Sequence, residues 1–207
     1  MTPAETSRTP SFSPTIRLLD HLPSERVDDA AALYLAALAD TLLPVYGVGS
    51  RALRALVCGF NRHMCITAVE NDRLVGILGI QTAAAGFMDV KVNTLRPFYG
   101  AFGSIWRMAL LTLLHHSPMA DEAYIDGVAV MPAYRGRGVG TRLIAALEVW
   151  ATGQGMSIIR LEVVDANPRA EKLYRRIGFE AVREQTVWPV GTRFGLRSST
   201  VMVKTLI

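Results

Sequence analysis

The chain of 207 residues predicts a single α/β domain in which a mixed, mainly antiparallel sheet is flanked by helices. Three observations carry that expectation. Segments 64–70 and 74–82 are β-prone runs around a two-residue polar turn, and 180–188 with 199–206 form a second such pair, so both read as antiparallel hairpins. Between them, residues 124–165 run strand, glycine loop, helix, strand, an order that gives a parallel neighbour through a helical crossover. Half the residues are apolar, which at this length supports one full core or at most two small ones.

Charge and cysteine content narrow the function classes. A formal net charge of +4 is far from the basic excess that dictates nucleic-acid binding, and no basic run is interleaved with aromatics, so no nucleic-acid partner is expected. The charge suits an anionic cofactor. Cys58 and Cys65 show no metal spacing, the four histidines show neither triad nor ligand spacing, and no metal site is expected. Cysteine this sparse suggests a reducing, cytoplasmic setting, with both thiols as buried packing groups. Residues 1–14 are rich in Thr, Ser and Pro and are expected to be disordered; they lack the apolar stretch of a signal peptide.

Taken in order, 15–20 (TIRLLD) fits a first strand. A helix then begins at Pro23-Ser24-Glu25. Val27, Ala30, Ala31, Leu35, Leu38 and Leu42 recur at helical spacing, and Pro44 and Gly47 are expected to stop it. A second helix runs from Ser50, read as its N-cap, to Cys58, with Leu53, Leu56 and Val57 as its apolar stripe. The first hairpin turns at Asn71-Asp72. Residues 83–123 then form an insertion too long for an ordinary connection between the third and fourth strands. Its second half, 98–114 (FYGAFGSIWRMALLTLL), is apolar nearly all round. Three readings stay open. A membrane span would be at the short limit, with Arg107 in its middle and glycines at 100 and 103, so membrane contact is not expected. The alternatives are a helix buried against its own domain, and a lid over the site or a contact between two copies in a homodimer. His115-His116 would complement the dipole at the end of this helix.

Residues 124–130 alternate as a strand, with Tyr124, Asp126, Val128 and Val130 expected on one face. Pro132 ends it. Glycines at 136, 138 and 140 let backbone N–H groups converge on one anion, and the helix that follows adds its unpaired N–H groups and partial positive charge. Arg135, Arg137 and Arg142 add charge, and Thr141 a hydroxyl. This nest suits a phosphate. A dinucleotide loop would place its last two glycines three residues apart, not two, and would need further βαβ units, although Asp165 stands where a ribose-binding acid could sit. A nucleotide P-loop would need Lys-Ser/Thr after the glycines. Beyond the loop, Leu143, Ile144, Leu147, Trp150 and Ala151 pack a helix on the sheet, and 156–165 contains the strand IIRLEVV. The next helix is fully punctuated: Asn167 at the N-cap, Pro168 first, Glu171 near the start, Arg175 and Arg176 in the last turn, Gly178 as the stop.

Two of these runs resemble a known family. Strand, V-x-P, then R-G-x-G-x-G before a helix resembles the acyl-CoA pyrophosphate loop of the GNAT superfamily of N-acetyltransferases, whose pattern is Gln/Arg-x-x-Gly-x-Gly/Ala; Arg135, Gly138 and Gly140 occupy its fixed positions. The run N-P-x-A-x-x-L-Y-x-x-x-G-F resembles the second signature of that superfamily, with Asn167 and Tyr174 at the positions beside the pantetheine arm. Together they cover 124–179, and a looser match of element order extends over 15–206, from which the insertion departs. The resemblance implies acetyl-CoA as co-substrate. It would be held by Val128, Ala129 and Val130 of the strand, by Arg135, Gly136, Arg137, Gly138, Val139, Gly140 and Thr141 of the loop, and by Asn167 and Tyr174. It further implies attack of a primary amine, on a small molecule or peptide, on the thioester, with the backbone N–H near Val130 facing the developing oxyanion. Tyr174 would be the general acid and Asp126 the base, with Glu162 and Glu122 as alternatives. On the residues alone, Asn167 is equally an N-cap and Tyr174 a packing residue. A non-catalytic acyl-CoA sensor on the same fold stays the alternative, and the acceptor stays open among polyamines, antibiotics, amino acids, protein N-termini and lysine side chains.

Overall fold

The computed structural model describes residues 15–114, 117–165, 167–186 and 198–206. The expected tail at 1–14, the His115-His116 pair, and the end of the penultimate strand with the loop after it lie outside the described residues. Strand β1 (Arg17–Leu19) leads through a short 3-10 turn into helices α1 (Val27–Ala37), α2 (Ala39–Tyr46) and α3 (Ser50–Gly59). The hairpin β2 (Cys65–Glu70) and β3 (Arg73–Gln81) follows, then α4 (Val92–Leu114) and β4 (Glu122–Val130). After these come α5 (Val139–Gly153), β5 (Ile158–Val164), α6 (Pro168–Arg176), β6 (Glu180–Thr186) and β7 (Ser198–Thr205). The seven strands form one sheet in the order β1-β2-β3-β4-β5-β7-β6. Every neighbouring pair is antiparallel except β4 and β5, which are parallel.

Each sheet face carries its own core. On one face Tyr34, Tyr46, Leu56, Ile77, Phe87 and Leu95 join α1, α2, α3 and the start of α4 to the sheet. On the other, Leu143, Ile144 and Leu147 of α5 meet Leu78, Ile80 and Ile159. With helices on both faces, β2 is buried along its whole length, Thr67 and Glu70 included, so it lacks the apolar-in, polar-out alternation of a half-exposed strand. The hairpin turn forms as expected: Asn71 and Asp72 both take positive φ, 48° and 57°, the conformation a tight two-residue turn demands.

Four expectations change. The first helix does not continue to 43. It breaks at Leu38 (φ −113°, ψ 32°), and its two parts meet at 110°. Pro44 is accommodated inside α2, and Gly47, with φ 75°, is what ends that helix. The cap of α3 is Gly49 (φ 84°), leaving Ser50 as the first helical residue, because the chain leaving Gly47 needs positive φ at this corner. Cys58 is exposed, and only Cys65 is buried: position 58 falls on the outer side of α3, opposite Ala52, Ala55 and Leu56.

The helix between the third and fourth strands begins earlier than its apolar run, at Val92, and is broken at Gly100 (φ 68°, ψ 179°). Leu95 and Ser104 are fully buried, and Met108, Leu110 and Leu111 pack on the core of the α1 face. Phe102 and Ile105 point outward, 83% and 60% exposed. The helix is therefore packed against its own domain along one side. Among the described residues no single helix is long and apolar enough to cross a membrane.

Candidate active site

β4 and β5 pair over only three positions, Glu122 with Ile158, Ala123 with Ile159 and Tyr124 with Arg160. Beyond Tyr124 each strand stays with its other neighbour, β4 with β3 as far as Val130 and β5 with β7 as far as Val164. The two strands must therefore part. At the closed end, Glu122, 1% exposed, accepts from Arg160 at 2.9 Å. The opening begins at a β-bulge: Gly79 pairs with Gly127 but Ile80 pairs with Ile125, so Asp126 is an extra residue in β4. A bulge bends its strand and sharpens the local twist. The space between the strands is a cavity of about 580 Å³. It is lined from the α1 face by Tyr34, Leu38 and Leu111, and from the other by Asn167, Ala170 and Tyr174, so it passes through the sheet.

The bulge also overturns the expected alternation. Val128 and Val130 pack on the α5 face, whereas Asp126 is turned to the α1 face, where the Tyr34 hydroxyl donates to its Oδ2 at 3.2 Å. One inserted residue resets a two-residue period, and no local pattern announces it. Tyr34, 1% exposed, is the site residue that sequence reasoning missed. Its environment left a trace in two glycines. A Cβ on Gly127 would stand 2.6 Å from the Tyr34 hydroxyl, and one on Gly79 would stand 3.1 Å from it, so both positions are kept clear for this ring. Burial pushes the Asp126 carboxyl up to about 6, with the Tyr34 hydrogen bond acting in the opposite direction. Burial, then the charge of Asp126, holds the Tyr34 hydroxyl well above its ordinary range, so it remains a donor.

Of the other carboxylates, Glu162 lines the cavity and accepts from the Ser199 hydroxyl. Glu122 is drawn into its pair with Arg160 and does not line the cavity. Tyr174, 9% exposed, packs against Phe179 with ring centroids 5.8 Å apart and the planes tilted by 60°. Burial pushes its hydroxyl up to about 12, so the proton is retained at neutral pH. Asn167 does cap α6, its Oδ1 accepting from the Ala170 N–H at 3.2 Å, and it borders the cavity as well. Capping and a place at the site coexist.

The glycine loop lies beyond the cavity on the exposed surface. Gly136 and Gly138 adopt φ of 75° and 79°, and no atom stands within 4 Å of where a Cβ would be on either. Gly138 is the N-cap of α5, so the first-turn N–H groups of Val139, Gly140 and Thr141 have no carbonyl within the helix to meet. Val139 has its side chain buried in the core, and Gly140 faces Leu173, 3.6 Å from the position of its missing Cβ. Arg135 donates from Nε to the Val130 carbonyl at 3.2 Å, and Arg137 lies over the Tyr134 ring at 5.0 Å. Arg142 is used differently, donating to the Ile16 carbonyl at 2.7 Å and bracing the approach to β1. Because the Met131 N–H bonds the Val75 carbonyl, alternation turns the Ala129 amide toward β3 as well and leaves those of Val128 and Val130 on the open edge. Open space over two left-handed glycines, free first-turn amides and two exposed arginines suit a diphosphate.

Residues 35–179 match the sequence model described as the Acetyltransferase (GNAT) family. The chain belongs to the GNAT acetyltransferase family. Acetyl-CoA is the co-substrate of that family. Its fold is similar to those of solved acetyltransferases: an N-acetyltransferase from Staphylococcus aureus Mu50 superposes with a TM-score of 0.63 at 19% identity, covering 90% of this chain and 99% of the other. An agmatine N-acetyltransferase mutant gives 0.59 at 15% identity over 92% and 99%. At those identities the likeness concerns the fold. Among curated relatives, a thialysine N-epsilon-acetyltransferase of Mus musculus is 38% identical over 67 residues, 32% of this chain and 39% of its own length. A [Ribosomal protein bS18]-alanine N-acetyltransferase of Haemophilus ducreyi is 36% identical over 64 residues, 31% and 44%. This GNAT chain thus spans about two fifths of the length of these two curated relatives.

Proposed function

We propose that this GNAT protein transfers an acetyl group from acetyl-CoA to a primary amine by direct attack on the thioester. The observation that carries the proposal is the parting of β4 from β5 after Tyr124, which brings Asp126 and Tyr174 into one cavity from opposite faces of the sheet. The loop from Arg135 to Thr141 anchors the diphosphate of the co-substrate, and the open edge of β4 at Val128 and Val130 pairs with the amide-rich arm. Asn167 and Tyr174 flank that arm where it reaches the thioester.

The amine enters from the α1 face, where Asp126, held by Tyr34, accepts its proton directly or through water. The free electron pair forms the new C–N bond, and the outward N–H of Val130 stabilises the oxyanion. As the oxyanion collapses and the C–S bond breaks, Tyr174 gives its proton to the leaving thiolate and regains one from the acylated nitrogen, which becomes a neutral amide. Fixing both reactants in one channel supplies a large share of the rate. Two measurements test the reading. Acetyl-CoA should raise Tm by mass action while NAD leaves it unchanged, and thiol should be released when amines are added. Stabilisation by acetyl-CoA without thiol release from a broad amine panel would establish the sensor reading in its place.

A further inference from the structure

We infer that the acceptor is an oligocationic amine with an apolar spacer, at least a diamine, bearing no carboxylate. The inference rests on the acetyltransferase reading of the same cavity and names its substrate class. The protein as a whole is basic, with 22 Lys and Arg against 18 Asp and Glu. The cavity is the reverse. Among the described residues its lining holds four carboxylates, Asp40, Asp89, Asp126 and Glu162, and no Lys, Arg or His. They come from α2, the connection before α4, β4 and β5, so the negative potential is a property of the whole channel and not of one surface cluster.

Their roles divide by position. Asp126, half-buried at the bulge, faces the reacting nitrogen. Asp40, Asp89 and Glu162 are exposed and stand toward the rim. Asp89 pairs with Lys91 at 3.3 Å and Glu162 accepts from Ser199, whereas Asp40 has no ion-pair partner among the described residues. The lining also carries apolar side chains, Ala37, Leu38 and Leu42 from the first helices and Met108, Leu110 and Leu111 of α4. One primary ammonium loses its proton at Asp126, a methylene chain lies against the apolar lining, and a second ammonium stays beside Asp40. An amino acid would instead bring its carboxylate against four carboxylates, with no cation among the described lining residues.

The test compares three acceptors that share a six-carbon chain and one terminal amine: 1,6-diaminohexane, 1-aminohexane and 6-aminohexanoate. Thiol release from acetyl-CoA gives kcat/KM for each. The diamine should lead, and 6-aminohexanoate should trail it by more than about tenfold. Asp40→Asn should lower kcat/KM for the diamine by roughly two- to fivefold, the range of an exposed ion pair, and leave 1-aminohexane unchanged. Turnover of 6-aminohexanoate equal to or above that of the diamine would overturn the inference and leave the acetyltransferase reading intact. So would an equal loss on both cationic acceptors in Asp40→Asn. No thiol release from any of the three, with acetyl-CoA still raising Tm, would overturn the inference, and silence across the broad amine panel as well would remove the acetyltransferase reading with it.

Discussion

Replacing Tyr34 by Phe removes one hydroxyl from the deepest part of the site and tests whether Asp126 is a base held in place. The hydroxyl donates to the Asp126 carboxylate at 3.2 Å. A hydrogen bond to a charged group contributes about 1.5–3 kcal/mol. At 1.36 kcal/mol per pKa unit, its loss should raise the pKa of Asp126 by about one to two units from its starting value. That value is about 6, already above the ordinary 3.8 because burial disfavours the charged form. A base acts as carboxylate, so kcat/KM in the wild type should fall as pH drops through about 6. In Tyr34→Phe the same limb should move to about 7–8, with activity near pH 9 almost intact. At pH 6 the variant should be slower by about fivefold or more, because little of its Asp126 remains ionised. The assay is thiol release with a fixed amine across pH 5–9, alongside Asp126→Asn, which should abolish the limb. A uniform loss at every pH, with the midpoint unmoved, would show that Tyr34 only packs. Stability gives an independent sign. The folded state binds the Asp126 proton more tightly than the unfolded chain, so stability should decline between about pH 4 and 6 and level off above. In Tyr34→Phe the decline should extend to higher pH.

Other substitutions separate binding from chemistry and packing. Tyr174→Phe should keep the stabilisation by acetyl-CoA but lower kcat by about 10²–10⁴; unchanged turnover would leave Tyr174 as a partner of Phe179 and no more. Gly138→Val strains a residue at φ 79° and puts a side chain into the open space above the loop, so acetyl-CoA should no longer raise Tm, and persistent stabilisation would locate the diphosphate elsewhere. Gly127→Ala places a Cβ 2.6 Å from both the Tyr34 hydroxyl and Leu38 Cδ1. Overpacking of that kind costs about 1–3 kcal/mol, and the displaced ring should also move the acid limb of the pH profile as Tyr34→Phe does.

Much of the site was legible because its signals are local. Gly136 and Gly138 take positive φ at the low steric cost only glycine offers, Asn167 caps the helix that Pro168 opens, and each leaves its reason within a few residues of itself. The two-strand turn at Asn71-Asp72 was legible for the same cause. Asp126 was expected on the face of Val128 and Val130 and lies on the other, since a bulge depends on how β4 pairs with β3. Tyr34 was not found at all. It sits in an alanine- and leucine-rich helix, 92 residues before the carboxylate it holds, where nothing nearby distinguishes it from a core aromatic. The break at Leu38 was hidden in a stripe that continues at helical spacing through it.

By itself, then, the order of residues determined the hairpins, the glycine turn before α5 and the capped helix α6, because each depends on backbone torsions and bonds between near neighbours. Only the folded sheet decided that β4 and β5 part after Tyr124, that Asp126 turns toward Tyr34, and that carboxylates from four separate segments face one channel without a cation among its described lining residues. Those are consequences of strand pairing and long-range packing, whose energies depend on residues far apart along the chain.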